Sequence, residues 1–361
     1  MYKFWTKVFL LFAFTSIRMA PDLYSEAASL SDIELEKIIE LQTRVLEEGK
    51  NWSESELTRQ AQEIVSRYEA FLLDNPDDIN ALLLFGKFLR KTGLHENAIS
   101  IFLKADQINP NIAVIKQELG NFLVEKGKPM EAFPFFLLTT RLEPAEAAYH
   151  YNLGNFIFLF HDNLVGIENS EKLGALMHQS FKEAAMLDPA NFDYHLRYAQ
   201  SFFDFSNEFH EEAISSWNTL LTEFGNRSQI EVDYIKMNIA KIFLKMGQNQ
   251  EVYDILDSVR SESIQNEKRK LLNQTEKKTN EKSKKNSMID RSLHDIKYQQ
   301  VNSYSFPIDS NLKRIKQITS KLRQESMLKD LRYDVTRAHI LANGDLSLEL
   351  TYKSIGSVNF E

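Results

Sequence analysis

The side chains able to do chemistry in this 361-residue chain are few in kind. There is no cysteine, which removes disulfides, thiolate metal sites, a thiol nucleophile and a lipidated cysteine. The eight histidines are scattered, and no His-Glu-x-x-His pair is present. A phosphate-binding glycine loop and a Gly-x-Ser-x-Gly elbow are also missing. The sequence therefore predicts no catalytic, metal or cofactor residues and no enzyme. What remains is recognition chemistry. Asparagine and glutamine amides each offer a donor and an acceptor, which suits an extended peptide backbone, provided that some framework sets them in a row.

The framework is visible in the stretch LGNFLVEKGKPMEA at 119–132. The same pattern stands 34 residues earlier as FGKFLRKTGLHENA (85–98) and begins again 34 later as LGNFIFLF (153–160). Gly86, Gly120 and Gly154 keep this step, as do Gly93 and Gly127, Ala98 and Ala132, Phe102 and Phe136, and Pro110 and Pro144. A fixed period of this length marks a repeat architecture. Within 79–112, Leu82, Phe85 and Leu89 form one apolar helical stripe, and Ala98, Phe102 and Ala105 form a second. Gly93 stands between them as a left-handed C-cap, and Asn109-Pro110 ends the second helix. Each unit is thus an antiparallel helix pair. A glycine inside a helix costs roughly 0.5–1 kcal/mol against alanine. The expectation is that Gly86 faces Ala98 and lets the two helices close.

These offsets resemble the tetratricopeptide repeat (TPR) family. Unit one supplies Leu82, Phe85, Gly86, Leu89, Ala98, Phe102, Ala105 and Pro110; unit two supplies Leu119, Gly120, Leu123, Ala132, Phe136 and Pro144. Unit three has Leu153, Gly154, Ile157, Phe181, Ala184 and Pro189, with roughly eleven extra residues near 160–170. Weaker units follow from 192 and 233, and a degenerate pair covers 32–76. The resemblance spans 32–262 and implies a right-handed superhelical solenoid, with first helices lining a concave groove. It implies a scaffold and no particular reaction.

On the repeat offsets the groove residues are Lys87, Arg90, Gln117, Asn121, Tyr151, Asn152, Asn155, Arg197, Tyr234, Asn238 and Lys241. Some relatives clamp a C-terminal carboxylate with lysines, asparagines and an arginine. Asn121, Asn152 and Arg197 fall at three such offsets, but Gln117 and Asp193 stand where lysines belong, and an aspartate repels a carboxylate. His150 and His195 share an offset normally used for packing. The aromatic runs FPFFLLTTRL (133–142) and FIFLF (156–160) read as core. The insertion HDNLVGIENSEK (161–172) reads as a lengthened turn, either a contact loop or a tolerated surface excursion.

Charge divides the chain. Residues 1–261 hold 24 Lys/Arg against 38 Asp/Glu, and residues 262–361 hold 19 against 13. An acidic body lacks the basic face that nucleic acid requires. Lys3 and Lys7 precede the apolar run VFLLFAFTSI (8–17), and Ser25-Glu26-Ala27 offers a cut before Ala28. Residues 1–27 are read as a signal peptide or an uncleaved anchor; only in the second case would this segment touch a membrane. Either way the body lies outside the cytoplasm, in the cell envelope or periplasm of a Gram-negative bacterium. Residues 263–289 read as a lysine-rich linker or frayed helix, and 290–361 as a small α/β appendage. Its helix carries Leu312, Ile315, Ile318 and Leu322, and its hairpin turns at Asn343-Gly344 in a type I′ turn. The apolar stripe Leu346, Leu348 and Leu350 needs a partner: that helix, the last repeat or another chain.

The fold expected is therefore all-α, a TPR-like solenoid of antiparallel helix pairs with a C-terminal helix and β-hairpin. The function expected is a non-catalytic scaffold that binds a protein or peptide segment in the groove. The alternative is an envelope enzyme, or its accessory subunit, using the appendage or the 161–172 insertion.

Overall fold

The computed structural model describes residues 30–204, 209–282, 308–326 and 332–353. The apolar run at 8–17 and the cut before Ala28 lie outside the described residues. In chain order the helices are α1 (Leu30–Glu48), α2 (Glu54–Asp74), α3 (Ile79–Lys91), α4 (His95–Ile108), α5 (Ala113–Glu125), α6 (Pro129–Leu142), α7 (Ala147–Leu164), α8 (Ser170–Leu187), α9 (Phe192–Asp204), α10 (His210–Thr222), α11 (Gln229–Met246), α12 (Asn249–Asp257), α13 (Gln265–Lys282) and α14 (Ile308–Ser326). Strands β1 (Arg332–Ile340) and β2 (Leu346–Lys353) follow. This is a TPR-like stack of helix pairs with a C-terminal helix and hairpin. The described residues form two compact bodies, one from 30–85, 91–94 and 332–353, the other from 86–90, 95–204, 209–282 and 308–326.

In the first body α1 packs on α2 through Ile38, Val45, Ile64 and Val65, all fully buried. Tyr68 stacks on Phe85 at 4.9 Å and donates to Gln42 Oε1 at 2.8 Å, so its ring is buried while its hydroxyl is satisfied. The hairpin is antiparallel, with one irregularity between Val335 and Arg337. Its partner is α2, which was not among the candidates expected (the C-terminal helix, the last repeat or another chain). The Tyr333 N–H donates to Glu69 Oε1 at 2.8 Å, the Val335 N–H to Gln62 Oε1, and the Ala338 N–H to Thr58 Oγ1 at 2.9 Å. Polar side chains of a helix thus satisfy the strand edge that a third strand would otherwise cover. Val335, Ala338, Leu346 and Leu348 are buried, and Leu350 is half-buried.

The hairpin turn also differs from expectation. The Gly344 N–H donates to Leu341 O at 2.8 Å, which places Ala342-Asn343 at the centre of the turn and Gly344 after it, at φ 87°. The loop therefore has three residues, of the kind that ends in a left-handed glycine. Asn343 Oδ1 accepts from the Asp345 N–H at 3.2 Å and so fixes the turn one residue away from the type I′ register.

In the second body each helix from α4 to α12 packs on its successor. A Cβ on Gly86 would lie 2.6 Å from the Phe102 ring, and one on Gly154 would lie 2.7 Å from the Phe181 ring. A Cβ on Gly120 would meet Phe136 at 3.2 Å. The glycines of α3, α5 and α7 therefore face the aromatics of α4, α6 and α8, rather than the alanine expected. A ring needs the room that a missing side chain leaves, and its dense contacts offset the helix penalty.

The lysine-rich segment is largely helical. α13 buries Leu271 and Thr275, and Lys278 Nζ donates to Leu244 O at 3.2 Å. Its apolar positions every turn continue the packing past the last repeat, and residues 283–289 lie outside the described residues. α14 packs on α4 and α6, the second helices of units one and two, through Ile315, Ile318 and Leu322. Leu312, on the same predicted face, is partly exposed. Arg323 of α14 donates to Asp106 Oδ2 at 2.9 Å, and Lys116 Nζ of α5 donates to Asp106 Oδ1. Asp106 and Lys116 are both buried, so this carboxylate is compensated from two sides.

Candidate functional site on the first helices

The predicted groove residues stand on α3, α5, α7, α9 and α11 and gather into three local clusters. The first surrounds Glu118, which is buried on α5. Arg90 pairs with it at 2.8 Å, Lys87 lies near enough to stabilise its charge, and Asn121 hydrogen-bonds it. Burial nevertheless dominates and holds the Glu118 carboxyl above its ordinary range. Gln117 donates to Asn121 Oδ1 at 3.2 Å, while its own Oε1 is buried with no hydrogen-bond partner.

The second cluster joins Tyr151, Asn155 and Arg197. Asn155 hydrogen-bonds the Tyr151 hydroxyl, whose pKa burial nonetheless raises. Tyr151 packs against Tyr194 at 4.7 Å and meets Phe181 edge-on at 6.1 Å. Arg197 is only 7% exposed. Its guanidinium lies 4.0 Å from the Phe158 ring and 4.5 Å from the Phe181 ring, and Nη1 pairs with Asp204 at 3.1 Å. Nη2 is buried without a hydrogen-bond partner. Asn152 is half-buried on the same helix, α7.

The third cluster is on α11. Asn238 is buried, donates to Tyr234 O at 2.9 Å and accepts from Lys241 Nζ at 3.1 Å, so its amide serves its own helix. Tyr234 is exposed and accepts from Gln200 at 3.1 Å. His150 binds Pro144 O at 2.9 Å, and His195 lies against Phe224 at 5.3 Å, in keeping with packing roles.

The sequence pattern did not single out Glu118, Phe158 or Asp204. FIFLF divides: Phe156 and Ile157 are buried, whereas Phe158 and Leu159 are 42% and 44% exposed. The insertion divides as well. It lengthens both helices of unit three to 18 residues, against 13 and 14 in α5 and α6, and leaves only a short connection at 165–169. α7 kinks at Phe160, and Asn169 caps α8 by accepting from the Glu171 and Lys172 N–H groups. The lengthened helices and the end of α9 border an open cleft of about 650 Å³, lined by Phe158, His161, Ser170, Glu171, Met177 and Asp204 among others.

Two contacts in that cleft have the connectivity of a nucleophile, a base and an acid. His161 Nε2 is 3.1 Å from Ser170 Oγ, and His161 Nδ1 is 3.4 Å from Asp162 Oδ1. The rest of such a site does not fit. Asp162 is fully exposed and cannot fix the ring as a buried carboxylate does. The Glu171 and Lys172 N–H groups, the donors nearest Ser170, already bond Asn169. Among the described residues no cluster of His, Asp and Glu could hold a metal, and no helix is long and apolar enough to cross a membrane.

No family model matches the chain, and no curated protein does. Its structure is similar to several solved TPR proteins. One is YrrB, described as a TPR protein with an unusual peptide-binding site, at 15% identity and a TM-score of 0.43 over 53% of this chain and 90% of that one. Another is PilF of Pseudomonas aeruginosa, at 15% identity and 0.44 over 70% and 99%. A third is PilW, described as a type IV pilus biogenesis factor, at 16% identity and 0.41 over 66% and 99%.

Proposed function

We propose that this protein is a non-catalytic scaffold of the cell envelope that holds an extended protein segment along the first helices of its repeats. The observation that carries the reading is a row of partly accessible polar side chains on the first helices of units two and three, Asn121 on α5 and Tyr151, Asn152 and Asn155 on α7. Each amide offers a donor and an acceptor, and a peptide backbone laid along the helices would use both. Export is supported by the lysines and apolar run at 3–17. Partners are proteins or peptides; nucleic acid does not fit an acidic body.

The test is a comparative pull-down from envelope extract. Asn121→Ala combined with Asn155→Ala removes two amides and, with them, their bonds to Gln117, Glu118 and Tyr151, so the variant should melt somewhat lower and is compared while folded. Loss of the wild-type partner by the folded variant is the expected outcome. Full recovery of the same partner would remove the groove from consideration.

A further inference from the structure

The surface of α4 and α6 beneath α14 has the build of a helix receptor. α14 lays Ile315, Ile318 and Leu322, all buried, across these two second helices. Their spacing of three and four residues puts them on one face, the pattern by which a groove reads an amphipathic helix. Lys313, Lys316 and Lys321 stand exposed on the rest of α14. One residue past the apolar stripe, Arg323 reaches Asp106 Oδ2 at 2.9 Å. The seat keeps its charge balance without this arginine. Buried Lys116 pairs with the other oxygen of Asp106, so departure of α14 leaves no isolated buried carboxylate. The contact is also limited at both ends, because Arg323 is half-exposed and Leu312 is 37% exposed. The chain on either side is long enough for α14 to lift away. Residues 283–307 can span about 80 Å and 327–331 about 20 Å, against a helix diameter of about 10 Å.

We propose that α4 and α6 form a second binding surface, for a partner's amphipathic helix with apolar residues at i, i+3 and i+7 and a basic residue at i+8, and that α14 is its exchangeable resident. An acidic residue at i+8 is rejected, because it would meet Asp106. The excess of acidic residues across 1–261 also draws a basic helix toward the repeats. This surface belongs to second helices and the groove to first helices, so the inference stands apart from the groove reading.

The probe is a fluorescein-labelled peptide of residues 308–326, titrated into the full chain. Wild type should bind it about tenfold more weakly than the Ile318→Asp chain, whose own α14 cannot seat and so leaves the surface open. On that variant chain, a peptide carrying Arg323→Glu should bind about tenfold more weakly than the unaltered peptide. A second measurement needs no variant: adding excess peptide to wild type should speed hydrogen exchange in α14 and leave α4 and α6 as protected as before. Equal binding by the two chains, or indifference to Arg323→Glu, would place the peptide elsewhere and overturns the proposal. So does a peptide that fails to bind the Ile318→Asp chain, or an α14 that stays protected under excess peptide. Each of these outcomes leaves the groove reading standing.

Discussion

The pairs α5–α6 and α7–α8 are successive units built on one register, and they differ in one respect. In α5–α6 the glycine and its facing ring are Gly120 and Phe136; in α7–α8 they are Gly154 and Phe181, eleven residues further apart along the chain. The close approach survives the insertion because the extra residues extend the helices beyond it instead of separating them. The cause can be read at a single position. Gly93 and Gly127 end their helices at φ 85° and 69°, and the next residue in that series is His161, which lies inside α7. Without a left-handed cap the helix runs on to Leu164. The regular pair closes with a short turn, whereas the extended pair keeps the same close approach and adds a cleft.

Five substitutions probe this comparison, the two glycines read as a pair and the rest in order of decreasing effect. Gly154→Ala should cost about 2–3 kcal/mol, because its Cβ would sit 2.7 Å from the Phe181 ring. Gly120→Ala, at 3.2 Å from Phe136, should cost far less, since the gain in helix propensity of about 1 kcal/mol opposes a milder clash. Equal urea midpoints for the two variants would mean that the approaches are the same.

His178, on α8, occupies the place that Phe133 takes in α6, and this gives the extended pair a titrating group in its core. Burial holds the His178 pKa at about 4, with nearby Glu212 raising it and Lys182 lowering it, and the ring bonds Ser201 Oγ at 2.8 Å. The unfolded side chain titrates near 6.5, so between pH 6.5 and 4 the unfolded chain takes up a proton that the folded one refuses. Stability should thus fall as the solution is acidified, by about 2 kcal/mol at pH 5 from this group alone. His178→Gln should flatten the urea midpoint between pH 7 and pH 5 relative to wild type. An unchanged slope would place the sensitivity elsewhere.

Phe158→Ala should cost about 1 kcal/mol through loss of the stack under Arg197. Leu159→Glu installs the residue type that α5 carries at the matching place, Glu125, and Leu159 is 44% exposed. It should change the unfolding free energy read from urea titration by less than about 0.5 kcal/mol. A larger loss would show that the extension buries Leu159 in solution.

The sequence carries the helix pairs in plain form because glycine, aromatic and proline recur at fixed offsets, and each offset reflects a local contact. It is less explicit where contacts are distant. Thr58, Gln62 and Glu69 look like an ordinary polar helix face, and nothing local reveals that they bond β1. Asp106 and Arg323 lie 217 residues apart. The groove residues follow from the repeat offsets, but offsets do not say which amides are spent internally, as Asn238 is, and which retain free valence, as Gln117 does. The cleft depends on helix length past the insertion, and only the absent cap glycine at 161 signals it.

α14 has a mechanical consequence. An array of stacked pairs behaves as a chain of nearest-neighbour springs, each joint yielding on its own. By lying across α4 and α6 and fastening to Asp106, α14 acts as a splint over the joint between units one and two. Units three to five have no such brace among the described residues. A load on this protein would therefore bend it unevenly, stiff at its first joint and compliant toward the cleft.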